Sequence, residues 1–67
     1  DLSEANLAQA DLTQAGLLLC YLTGANLAYA NLDEANLIGV NLTQANLLAT
    51  SVENTILPNG TKTQGKM

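Results

Sequence analysis

The sequence contains no His, no Trp and no Phe, only two basic residues, one Pro and one Cys. Each shortage excludes something. Without His the usual general base near neutral pH and the commonest metal ligand are missing. Without Trp or Phe, a packed core must be built from aliphatic side chains. One Cys cannot close an intramolecular disulfide. Both bases, Lys62 and Lys66, lie in the last ten residues, whereas all six acids lie in residues 1–57. The body therefore carries −6 and the tail +2, summing to −4. Such a body repels nucleic-acid phosphates, so direct nucleic-acid binding is not expected. Long apolar runs are missing too. The longest, Leu17 to Leu22, falls far short of the roughly 20 residues of a membrane span. No basic stretch followed by an apolar run has the pattern of a signal peptide. The sequence opens on Asp inside a repeat unit, and its compartment is left unassigned.

What the sequence does have is a period. Apolar residues make up 48% of it, too many for a disordered chain despite the low complexity. Positions 2, 7, 12 and every fifth residue to 57 are Leu, except Val52. Two residues before each, from Leu7 on, stands a small or modest side chain: Ala5, Ala10, Ala15, Cys20, Ala25, Ala30, Ala35, Val40, Ala45, Thr50 and Thr55. Of the twelve slots directly before these positions, six are Asn and two are Asp. On an α-helix, at about 100° per residue, a period of five would scatter the leucines around the cylinder. On a long strand an odd period would flip them between faces. Within one unit, however, Ala-x-Leu alternates as a strand does, and the two remaining residues can turn the chain. Gln, Glu, Gly, Ser and Thr fill many of those slots, and Gly and Asn suit turn dihedrals. A short extended step and a corner, repeated with the apolar side inward, is a coil that stacks on itself: a β-solenoid.

The unit Ala-(Asn/Asp)-Leu-x-x resembles the repeat of the pentapeptide-repeat family, in register over residues 1–57. The resemblance implies an all-β fold, a right-handed quadrilateral β-helix of about three coils of roughly 20 residues each. It also implies that the Leu and the small residue point inward. Departures are local. Gly16 and Tyr21 stand where Asn or Asp is usual, and the last units, Thr50-Ser51-Val52 and Thr55-Ile56-Leu57, drift from the pattern. Residues 58–67 leave the register: Pro58 removes a ladder donor and Asn59-Gly60 signals a turn. They read as a coil-terminating turn and a flexible basic C-terminal tail. The ending Leu57-Pro58-Asn59-Gly60-Thr61 is similar to that of short cyanobacterial members.

At this coil length residues 20 apart stack, and the string becomes columns. Ser3, Thr23 and Thr43 line one polar face. A flat hydroxyl column of this kind is similar to ice-binding arrays, but it reads as polar filler. Thr13, Asp33, Glu53 and Gln14, Glu34, Asn54 line the opposite, more acidic face. A flat acidic face does not surround a calcium ion. Tyr29 and Leu48 fall outside on a third face. On the fourth, Leu18, Leu19, Ile38 and Ile56 form a predicted exposed apolar patch, the candidate interaction site. The Asn column reads as a structural ladder of stacked amides. Cys20 falls in an inward slot and reads as a small buried hydrophobe.

No nucleophile–base pair, metal cluster or phosphate-binding Gly loop is present. The expectation is a non-enzymatic structural or protein-interaction module without cofactor or metal. Its partner would be another protein, or a second copy, meeting the apolar outer face. The resemblance also allows a second reading, a DNA-mimic-type binder of a type II topoisomerase (gyrase). The acidic body fits that in sign, and its few coils do not fit it in length.

Overall fold

The computed structural model describes residues 1–63. Within each five-residue unit a short extended step ends in a turn. The Leu carbonyl accepts the N–H three residues on, as in Ala30 to Leu27 and Ala35 to Leu32, both at 3.0 Å. The residue two past the Leu has positive φ. Glu4, Gln9, Gln14, Leu19, Tyr29, Glu34, Gln44, Ala49 and Asn54 lie between 55° and 63°, and Gly24 and Gly39 at 69° and 72°. Positive φ at the third position alone marks a type II turn, which ordinarily calls for Gly or Asn there. An L-residue in this left-handed region costs about 1–2 kcal/mol. Gln, Glu, Leu and Tyr occupy it only because the surrounding ladder over-determines the turn.

That ladder joins residues 20 apart. Parallel bridges link Asn6, Asn26 and Asn46 in one column, and Asp11, Asn31 and Ser51 in the next. Gly16, Asn36 and Ile56 form a third, and Tyr21 pairs with Asn41. The unit 30–34 shows the complete set of bonds. The Ala30 N–H closes the turn on Leu27 O at 3.0 Å, and the Asn31 N–H reaches down to Ala10 O at 2.9 Å. The Leu32 and Glu34 N–H groups reach up to Ser51 O and Glu53 O at 2.8 and 2.9 Å. The Asp33 N–H is taken by Asn31 Oδ1 at 2.8 Å. No amide of this unit is left open, as buried backbone requires. Between turns the extended step is too short to count as a strand, so the repeat body pairs through isolated bridges.

Residues 21–40 are layered between 1–20 and 41–57, and the core sits there. Leu22, Leu27, Leu32 and Leu37 are buried to 1% exposure or less, beside buried Ala25, Ala30, Ala35 and Val40. Leu7, Leu12, Leu17, Leu42 and Leu47, in the bounding layers, are half-buried. Ala28, an outward slot by sequence, is buried as well; it is a small side chain stacked between Ala8 and Leu48. Thr50 and Thr55, which read as decay of the repeat, are fully buried in the small-residue slot. Their Oγ1 hydroxyls donate to Leu27 O and Leu32 O at 2.8 and 2.7 Å. They are clamps between layers.

The register ends at Pro58. The Gly60 N–H bonds Leu57 O at 2.8 Å and the Leu57 N–H bonds Thr61 O at 2.7 Å. The chain then doubles back: β1 (Thr55–Ile56) pairs antiparallel with β2 (Lys62–Thr63), matching Thr55 with Thr63 and Ile56 with Lys62. The turn expected after Pro58 is thus the tip of a short hairpin spanning residues 55–63. The remainder of the tail, with Lys66, lies outside the described residues.

Truncating a leucine of the enclosed layer leaves a void that the ladder cannot close. Leu27→Ala should cost about 2–5 kcal/mol, read as a lowered denaturation midpoint. A shift no larger than that of an exposed site such as Gln44→Ala would place Leu27 outside the core.

Candidate functional site

With the core uniform, what distinguishes one unit from another is its outward slots. Eight Asx residues precede a leucine, and in all eight Oδ1 accepts the N–H two residues on, at 2.8–3.2 Å. This corrects the stacked-amide ladder expected for the Asn column. The bond is local, an Asx turn. Its reason is the backbone: the second residue of each turn has no carbonyl above or below it, and the Asx oxygen is the acceptor within reach.

Four slots lack Asx, and they are handled differently. Ile56 is followed two residues on by Pro58, which has no N–H to satisfy. At Ser51 the layer below supplies the acceptor. Asp33 Oδ1 takes the Glu53 N–H at 2.9 Å and the Ser51 hydroxyl at 2.6 Å. Gly16 and Tyr21 are consecutive and uncompensated. Among the described residues nothing accepts the Leu18 or Thr23 amide hydrogen.

The same stretch carries the apolar surface. Leu18 and Leu19 are 56% and 68% exposed. The Leu19 N–H bonds Ile38 O at 2.9 Å and the Gly39 N–H bonds Pro58 O at 3.0 Å, so Leu18, Ile38 and Pro58 stack in one column. Leu19 lies over Gly39, where an added Cβ would collide with Leu19 Cδ2. Gly39 is thus the seat on which the leucine rests. Ile38 is 38% exposed. The structure brings Leu18, Leu19 and Ile38 together. It separates Ile56, which stands two layers from Gly16 beyond Asn36, half-buried and paired through its backbone with Lys62. Leu48, placed outside with Tyr29 by the sequence but not joined to the candidate patch, is 60% exposed beside Tyr29 at 61% on another face. Its slot, the first after an inward Leu, is the one Leu18 and Ile38 occupy.

Polar chemistry on the outside is dispersed. Thr13 holds the Asp11 carboxyl below its ordinary pKa, through its hydroxyl at 2.6 Å and its amide at 3.1 Å. Gln14 Nε2 donates to Glu34 Oε1 at 2.7 Å. Cys20 is half-buried at the edge of its layer. Among the described residues no three His, Cys, Asp or Glu converge as a metal site. No helix among them is long and apolar enough to cross a membrane.

Left-handed turns and parallel pairing of residues 20 apart define a β-helical repeat protein whose variable parts are its outward slots. The family model for pentapeptide repeats matches residues 20–57 in eight copies, and the chain belongs to that family. Membership implies a right-handed β-helix. A solved structure similar to it is HetL, a pentapeptide repeat protein involved in heterocyst differentiation regulation from the cyanobacterium Nostoc sp. strain PCC 7120. The two are 32% identical, with 90% of this chain and 33% of HetL covered and a TM-score of 0.45. The chain thus spans about a third of that protein's length. No curated protein matches it.

The role of the Asx oxygen can be read one unit at a time. Asn31→Ala should lower stability by about 0.5–2 kcal/mol and speed hydrogen exchange at the Asp33 amide, while Asn31→Asp keeps both near the parent values. Equal effects of the two substitutions would contradict the assignment.

Proposed function

We propose that the chain is a non-enzymatic protein-interaction module. Residues 1–57 would form a quadrilateral rod of about three coils, which the turn and short strand within residues 58–63 close at one end. Its partner is another protein or a second copy, met through the outer face that carries Leu18, Leu19 and Ile38. The observation that supports this is the contrast on that face. Elsewhere most outward slots are polar, whereas here three large aliphatic side chains stand together in water. A contiguous apolar surface of this kind marks interaction sites on otherwise polar proteins. The dispersed acids and the lack of a nucleophile–base pair support the non-catalytic part of the reading. The topoisomerase reading has no support from the comparisons. The body measures 24 × 21 × 17 Å, so its long axis matches only about seven base pairs at 3.4 Å each.

Replacing Leu18 and Ile38 together by Gln tests the face. For a second copy as partner, sedimentation equilibrium of the parent should show mass above the 7.0 kDa of one chain as concentration rises, and the variant should stay at one chain with an unchanged melting temperature. Parent and variant both at one chain mass would contradict the second-copy form of the proposal.

A further inference from the structure

Every turn in the repeat body presents one amide that the ladder cannot satisfy. The chain answers this in three ways: an Asx oxygen from its own unit, Asp33 Oδ1 from a neighbouring layer at Glu53 (2.9 Å), and removal of the amide at Pro58. Only the units of Gly16 and Tyr21 have none of the three. They are adjacent in sequence, and between their open amides, Leu18 and Thr23, lie Leu18, Leu19 and Tyr21, three of the exposed large apolar side chains. The break in the scaffold and the apolar surface therefore coincide.

At Gly16 the slot is physically vacant. A Cβ added to Gly16 would meet no heavy atom within 4 Å, and Gly16 does not need its glycine for a left-handed turn, because its φ is not positive. The slot therefore has room for the first atom of a side chain on a backbone that L-residues adopt. The absence of an Asn there leaves the Leu18 N–H without an acceptor among the described residues, beside the exposed Leu18 and Leu19 side chains.

From this we infer that the Gly16 slot receives a side-chain oxygen from a partner protein. The oxygen accepts the Leu18 amide hydrogen while aliphatic neighbours pack on Leu18, Leu19 and Ile38. This rests on the proposed interaction face and names the partner's chemistry. It is a segment with an Asn flanked by branched aliphatic residues. The supply of an acceptor from outside the unit has its precedent within the chain, where Asp33 serves Glu53 across layers. A neutral carboxamide fits better than a carboxylate, because the chain carries a net charge of −4 and repels anions at range. The repeat Asx residues of a second copy are the poorer source. Its eight Asx oxygens before leucines each accept an amide of their own.

The probe is a pair of peptides, acetyl-Leu-Asn-Leu-amide and acetyl-Leu-Ala-Leu-amide, titrated into the isotope-labelled chain and followed by amide chemical shifts. The Asn peptide should move the Leu18 amide and bind roughly fivefold more tightly than the Ala peptide, the worth of one net hydrogen bond. Gly16→Asn supplies the oxygen in cis. It should raise the melting temperature and bind the two peptides equally weakly. Gly16→Ala, which adds bulk without an oxygen, should keep the preference for Asn. Equal binding of both peptides to the parent, or a preference that survives Gly16→Asn, would overturn the inference. So would loss of the preference in Gly16→Ala. In those cases, loss of all binding in Leu18→Gln would leave the apolar face standing as the interaction site. No shift with either peptide would overturn the inference, and retention of peptide binding by Leu18→Gln would count against the face itself.

Discussion

The bond from each leucine amide to the Asx-slot carbonyl of the next layer sets the rest of the structure. Leu7 reaches Asn26, and Leu27 reaches Asn46, each at 2.8 Å. Holding this register forces the chain to return to the same place after four units, which forces a turn in every unit. The turn that does so puts the residue two past the leucine into the left-handed region. Tyr29 and Glu34, both at φ 61°, are there because the ladder requires it. The turn in turn leaves one amide without a carbonyl, and that orphan explains why Asn and Asp precede leucine. One constraint thus accounts for the small residue, the Asx residue and the leucine of the unit. The leucine fills the interior, the small residue lets neighbouring steps approach, and the Asx oxygen closes the hydrogen-bond set.

Function, on this view, belongs to whatever the constraint leaves free. The two turn slots after each leucine carry varied side chains, and so Leu18, Leu19, Ile38, Leu48 and Tyr29 stand exposed there. A ladder that holds its turns this firmly also presents them rigidly. Leu19 is fixed both by its own left-handed backbone and by its seat on Gly39. A rigid apolar surface loses little conformational entropy on binding. That is the physical advantage of building an interaction face on such a scaffold.

Much of the architecture was legible in the sequence. The period of five excluded helix and long strand and placed Leu27, Leu32 and Leu37 inside. The stacking of residues 20 apart followed from the family resemblance. What was not legible depended on turn geometry. Asn6, Asn26 and Asn46 looked like a column of stacked amides because their spacing matched. Their real partner is a backbone amide whose need appears only once the turn type is known. Thr50 and Thr55 looked like decay, since composition alone does not reveal a carbonyl within reach of Oγ1. Ile56 was assigned to the patch by its column, and its partial burial comes from the doubling back of residues 61–63, which no periodicity announces. Gly16 looked like a simple departure, and it acquires meaning only beside the compensation seen at Ser51 and Pro58.

The central claim is the register, and hydrogen-bond couplings measured by NMR across the N–H···O=C bonds test it directly. The account predicts couplings from the Leu27 amide to the Asn46 carbonyl and from the Asn46 amide to the Ala25 carbonyl, and the same pattern from Leu7 to Asn26. Couplings at any other separation, or from the Leu27 amide to a carbonyl within its own unit or the one before, would contradict it.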